Sequence, residues 1–127
     1  MTTLYAIAQG VGYLVMGTGN LSEATVGYTT KWGDSGYDFN PIGNFTVEEV
    51  KMIGAYLGVP EKILDKPPAD GLSGKTDEEK MGVKYSQISE YINTGKTDAD
   101  AMKIIEKMNR ASAHKREKPP VYPFKRD

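Results

Sequence analysis

YLVMGTGNLSEATVGYTTKWGDSGYD, residues 13–38, decides how the rest of the chain is read. A short apolar run, Tyr13-Leu14-Val15-Met16, meets Gly17-Thr18-Gly19-Asn20, and a helix-like segment opens at once with a carboxylate at Glu23. One turn past that helix, Lys31-Trp32-Gly33-Asp34-Ser35-Gly36 threads a cation and, with Asp38, two carboxylates through glycines. Strand, small-residue turn and polar helix start is the layout by which open α/β sheets present binding groups at strand ends. Hydroxyl, carboxylate and lysine are therefore in place. A glycine-rich loop to cradle phosphate does not accompany them.

Upstream, residues 2–10 predict a helix, with Leu4, Ile7 and Ala8 on an i, i+3, i+4 stripe that Gly10-Val11-Gly12 ends. Tyr13–Met16 then reads as a continuous apolar strand of the kind buried on both faces. A helix leading into such a strand is the second half of a strand–helix–strand unit, and one strand in this length cannot form a sheet by itself. The expectation is an incomplete sheet.

Downstream, a helix runs from about Leu21 to Tyr28. Another opens at Thr46 with the capping box Thr46-Val47-Glu48-Glu49 and turns Val47, Val50, Ile53 and Leu57 inward before Gly58. Pro60–Leu64 predicts a short helix with proline in its first turn. Residues 65–76, DKPPADGLSGKT, form a loop too long for a mere connector, and 65–80 is expected to be mobile. Helices follow over Asp77–Gly95, in broken form, and Asp98–Ser112, with Ala101, Ile104, Ile105 and Met108 on one face. The tail, 117–127, with Pro119-Pro120 and Pro123, is expected to be extended.

At 127 residues the chain has the length of one ordinary domain. Sixteen basic against seventeen acidic residues leave no global field for nucleic acid or a membrane surface. The basic excess is local, at Arg110, Lys115, Arg116, Lys118, Lys125 and Arg126. With no cysteine, thiolate catalysis and cysteine-ligated metal sites are excluded, and one histidine rules out a multi-histidine site. No run approaches the roughly 20 apolar residues of a membrane span, and the N-terminus lacks a signal-peptide pattern. The expectation is a soluble, cytoplasmic protein.

Each candidate residue carries a plain reading beside the functional one. Thr18 follows the strand, where a hydroxyl and backbone amides can meet a nucleotide, or it is only part of a turn. Glu23 fits a capping box with Asn20, the first reading on pattern alone, and equally a Mg²⁺ ligand, since magnesium at nucleotide sites takes one or two carboxylates plus phosphates and water. Lys31, Asp34 and Asp38 are either solvated loop charges or binding groups. Gly71-Leu72-Ser73-Gly74-Lys75-Thr76 is not a P-loop: two residues separate its glycines where four are needed. His114-Lys115-Arg116 reads as a basic turn complementing a helix dipole, or as an anion or ribose contact. Val121-Tyr122-Pro123-Phe124 reads as packing, not as a stacking platform.

Taken together these positions resemble the bacterial ammonia-dependent NAD synthetases across nearly the whole chain. GTGNLSEATVGYTTKWGDSGYDFNPIGNFT is similar to that family's core, KPPADGLSGKTDEEKMG to its flexible loop, and NRASAHKREKPPVYPF to its C-terminal end. The resemblance implies an α/β fold, the C-terminal part of a doubly wound parallel sheet of the ATP-pyrophosphatase type (adenine nucleotide alpha hydrolase-like), mostly helical in this stretch. It implies adenylation of the carboxylate of deamido-NAD by ATP with Mg²⁺, then attack by ammonia to give NAD. Thr18 matches an ATP-contacting threonine and Glu23 a magnesium-binding glutamate. Lys31, Asp38, His114 and Lys115 match residues that bind deamido-NAD. A homodimer is implied for the full-length protein.

Two positions depart from the family pattern. Val47 stands where an ATP-contacting lysine is frequent, and Ala69 where an ATP-contacting hydroxyl residue is expected. The Ser-Gly-Gly-x-Asp-Ser loop and first strands expected ahead of Met1 are missing, so residues 1–127 read as the C-terminal portion of one synthetase domain, inactive alone. The competing reading is a non-catalytic dimerisation or interaction module built from the same helices. A glutamine-dependent synthetase needs a glutaminase domain with a cysteine nucleophile; this chain has no cysteine, so such a domain would lie in sequence outside it.

Overall fold

Three helices begin on the same device: an N-cap side chain accepts from the third helical amide while the glutamate there reaches back to the cap's own N–H. Asn20 with Glu23 starts α2 (Leu21–Val26), Thr46 with Glu49 starts α3 (Val47–Tyr56), and Thr76 with Glu79 starts α5 (Asp77–Met81). The others are α1 (Thr2–Val11), α4 (Glu61–Leu64), α6 (Tyr85–Thr94), α7 (Ala99–Ala111) and α8 (Ala113–Arg116). The structure, a computed structural model, describes residues 1–69, 71 and 74–124; Asp70, Leu72 and Ser73 of the expected loop, and residues 125–127 of the tail, lie outside the described residues.

The core forms where α2, α6 and α7 meet. Val26, Tyr85, Ile88, Ala101 and Ile105 are buried there with Met81 and Val83, and Ile104 and Met108 pack against them. The predicted face of α7 therefore turns inward. A hydroxyl bond from Ser89 to the Glu48 carboxylate ties α6 to α3, and the Val47 amide donates to Ser22 Oγ at 3.2 Å. The expectation that α3 turns Leu57 inward is not met. No α3 residue is fully buried, and Leu57, which caps the helix beyond its last turn, is exposed because nothing among the described residues covers it.

The apolar run Tyr13–Met16 requires a second correction. It forms no strand buried on both faces; its ladder contact is one isolated parallel bridge, Met16 with Phe39. The Gly17 amide donates to Phe39 O at 2.7 Å and the Asp38 amide to Val15 O at 2.9 Å, so one edge is paired. Only Val15 is buried, whereas Tyr13, Leu14 and Met16 are exposed. A strand is covered on both faces only when layers sit above and below it, and among the described residues none does. Helix α1 shows the same pattern: Leu4, Ile7 and Val11 form its apolar stripe, and none of its residues is buried. In the tail, Val121, Tyr122 and Phe124 are exposed instead of packed, because residues 117–124 adopt no helix or strand that would lay them on the core.

One glycine fixes how α2 meets the chain's C-terminal end. Gly27 caps α2 at φ 67°, a left-handed conformation, and an added Cβ there would lie 2.0 Å from Ser112 Cβ. Gly27→Ala combines backbone strain with overpacking and should cost about 3 kcal/mol or more in urea unfolding. Ser112→Gly in the same chain should return part of that loss. A double variant no more stable than the sum of the two single changes would show that Ser112 is not the obstacle.

Candidate functional site

The loop after α2 is held from the far end of the chain. Helix α2 ends on carbonyls that its own ladder cannot satisfy, and side chains from α7 and α8 take them. Asn109 Nδ2 donates to Thr25 O at 2.7 Å, and Arg116 donates to Ala24 O at 2.9 Å. Lys115 Nζ donates to Gly27 O at 2.7 Å and Thr29 O at 2.6 Å. Arg116 also grips Ser112 Oγ and Asn109 O, which locks α8 to the end of α7. The basic turn does complement a helix dipole, as one sequence reading had it, but the dipole is that of α2.

This places Lys31 beside His114. Lys31 Nζ donates to the His114 carbonyl across 83 positions of sequence, and its ammonium lies 5.4 Å from the centroid of the Trp32 ring. Three of the four residues matched to deamido-NAD binding thus converge. Lys115 spends two of its three donors on backbone carbonyls and keeps one. It lines, with Arg116, Asp34, Thr29 and Asn20, a polar cavity of about 270 Å³. Asp38 stands apart: its Oδ2 accepts from the Val15 amide at 2.7 Å, so one carboxylate oxygen pins the apolar run.

Thr18 is exposed on a turn held from both sides. Asn40 Nδ2 donates to Gly19 O at 2.7 Å, and Gly17 lies so close to Tyr37 that a Cβ would come within 2.5 Å of the ring. Both the cap and the magnesium-ligand reading of Glu23 are compatible with its surroundings. Its Oε2 accepts from the Asn20 amide at 2.9 Å, and its amide donates to Asn20 Oδ1 at 3.0 Å. Burial, before any other cause, pushes its carboxyl above the usual range; the charges of Asp34 and Asp77 add to that, and the bonds to Asn20 oppose it. Among the described residues no three acidic or histidine side chains gather as a metal cage. One half-buried carboxylate with an oxygen to spare nonetheless suits magnesium, which completes its shell with phosphates and water.

Glu23 also borders a second, largely aliphatic cleft of about 330 Å³, which Val47 and Pro68 line as well. Val47, which brings no charge, therefore sits beside Glu23, and Ala69 is exposed immediately after Pro68. Asn20 borders both cavities, so the N-terminus of α2 is the ridge between them. Sequence reasoning missed Asn40, Asn109 and Asp77. Asp77 is buried with its Oδ1 unpartnered, as is the Tyr85 hydroxyl, among the described residues. No local pattern marks any of the three, because each acts on backbone or charge distant in sequence.

Glu23→Gln keeps the cap and removes the charge. A carboxyl whose folded pKa is raised favours the folded state when protonated, so the ionised form costs stability at neutral pH and not below the unfolded value near 4.5. The variant should melt above the wild type at pH 7, with the gap shrinking as pH falls toward about 4.5 and absent below it. A gap independent of pH would contradict this.

The comparisons with known proteins point one way. The NAD synthase family model matches residues 1–119. The NH(3)-dependent NAD(+) synthetase of Carboxydothermus hydrogenoformans is 49% identical over 122 residues, covering 95% of this chain and 50% of that protein. Its counterpart from Archaeoglobus fulgidus is 44% identical, covering 95% of this chain and 51% of its own length. Among solved structures, NMN synthetase from Francisella tularensis superposes with a TM-score of 0.92 at 40% identity, over 97% of this chain and 52% of that one. The NH3-dependent NAD synthetase from Campylobacter jejuni, in complex with the nitrate ion, gives 0.70 at 26% identity, over 96% and 50%. The chain spans about half the length of the curated relatives it matches. The fold class is that of these ATP-pyrophosphatase-type proteins, and this stretch of it is mostly helical.

Proposed function

This chain belongs to the NAD synthase family, and on that premise we propose that it carries the deamido-NAD side and one magnesium ligand of an ammonia-dependent NAD synthetase acting in the cytoplasm. The observation that supports this best is that Lys31 Nζ reaches the His114 carbonyl across 83 positions of sequence, next to Lys115, which lines a polar cavity. Two lysines brought to one loop, with a histidine next to Lys115 in sequence, suit a dinucleotide with a pyrophosphate and a carboxylate. The reaction so read is amidation of deamido-NAD by ammonia, driven by ATP through an adenylated carboxylate, with release of AMP and pyrophosphate. Glu23 is the chain's magnesium ligand, with Thr18 on the ATP side and Asp38 on the substrate side. A bound magnesium would supply positive charge against the phosphates. Val47 and Ala69 contribute shape and backbone there, not charge.

Catalysis of this kind depends on positioning and on charge stabilisation, and one well-placed donor is worth roughly 3–4 kcal/mol. Residues 1–127 offer one magnesium carboxylate and no glycine-rich phosphate loop, so the chain by itself is expected not to turn over. A second reading, a non-catalytic interaction module that pairs with a copy of itself, is favoured by one observation: the uncovered apolar residues of α1 and of Tyr13–Met16.

Trp32 is the chain's one tryptophan and lies against Lys31, so its fluorescence reports the site directly. Deamido-NAD should perturb that emission saturably, and Lys31→Met should weaken binding about tenfold or more, the loss of one charge-assisted contact. Nicotinate mononucleotide, run alongside, tests the shorter substrate that the Francisella protein's name suggests. No response to either ligand, with dimers seen by light scattering, favours the module. ATP-dependent amidation by the chain alone would falsify the expected inactivity.

A further inference from the structure

The aliphatic cleft beside Glu23 has two cations at its mouth that no role yet described uses. Lys51 lies one turn beyond Val47 on the same face of α3, and Lys66 follows α4; both line the cleft that Glu23 and Val47 share. Neither ammonium has a hydrogen-bonding or ionic partner among the described residues. The exposed Lys103, by contrast, is taken by Asp100 at 3.0 Å. Two unpaired lysines and a half-buried carboxylate therefore line one cleft of about 330 Å³.

The geometry points to Lys51 and Lys66 as the cationic clamp for a magnesium-bound polyphosphate seated at the mouth of this cleft. Glu23 takes the metal and the lysines take the phosphate oxygens, so this rests on the reading of Glu23 as a magnesium ligand. The walls, Val47, Val50 and Leu64 among them, are aliphatic. Water screens poorly beside such walls, and a charge there acts at more than its bulk strength. A fully ionised pyrophosphate keeps a double negative charge once one magnesium is bound, which two ammonium groups match. Lysine suits this work as a mobile point charge able to follow phosphate oxygens. The clamp moves the phosphate-facing charge one helical turn from position 47, where valine leaves none.

The test uses inorganic pyrophosphate with Mg²⁺ as probe and the whole 127-residue chain, read by ³¹P NMR line broadening and by ¹³C resonances of reductively methylated lysines. Lys51→Met and Lys66→Met should each weaken pyrophosphate binding about tenfold, while Lys51→Arg retains it and Lys96→Met changes nothing. The Lys51 and Lys66 resonances should shift on adding the probe, a response that loss of folding cannot imitate. Binding that Glu23→Gln abolishes but the lysine variants leave intact overturns the clamp and spares the magnesium reading. No binding by the wild-type chain overturns the clamp as well, and deamido-NAD titration against Trp32 then decides separately whether the wider functional reading stands. Binding weakened only when Lys115 is replaced assigns the anion to the polar cavity on the other side of α2 and also overturns the clamp.

Discussion

Six residues of α2 acquire their place because carbonyls in its last turn and in the loop that follows are taken from more than eighty positions away. Asn109, Lys115 and Arg116 take the carbonyls of Thr25, Gly27, Thr29 and Ala24. A helix of this length has little stability of its own in water, and beyond the Gly27 and Tyr28 amides that cap it, its last carbonyls would otherwise wait on solvent. With them captured, the 27–31 loop has one available path, Lys31 reaches His114, and α8 lies against α2. Gly27 makes the approach possible by having no side chain where Ser112 stands. The core of Val26, Ile88 and Ile105 stabilises the same contact from beneath.

From this follows the division of the site. The N-terminus of α2 separates a polar cavity from an aliphatic one, and Asn20 belongs to both. On one side Lys115 and Arg116 face Asp34; on the other Glu23 faces the α3 and α4 side chains. Glu23 spends one oxygen on Asn20 and is held above the usual carboxyl range chiefly by burial. Cap and ligand are thus compatible duties for one residue, since a carboxylate has two oxygens and about four acceptor directions. Asp38 shows the same economy, pinning Val15 with one oxygen while the residue remains exposed.

Local rules read well from the sequence. The boxes at Asn20 and Thr46, the stop at Gly12, the helix end at Gly95 and the buried face of α7 all depend on neighbours within four residues. What the sequence left hidden depends on distant partners. Nothing about Asn109 announces that its amide will find Thr25 O, and nothing in Lys115 separates an anion contact from a carbonyl clamp. The run Tyr13–Met16 misled for a related reason. Apolar composition states what a segment would bury, while coverage depends on which layers exist, and here only Val15 is covered. Leu57 and the Val121–Phe124 tail repeat the point.

Helix α1 is ten residues long, shorter than the roughly 12–15 at which isolated helices become even marginally stable in water. It buries no residue, and its ties elsewhere are slight: a 3.4 Å bond from the Tyr5 hydroxyl to Asp38 and the C-terminal bond of the Tyr13 amide to Ala8 O. Its helicity is therefore thermodynamically linked to whatever shields Leu4, Ile7 and Val11. Order at this end of the molecule follows the covering of that stripe, whereas the α2–α7 core is held by its own contacts.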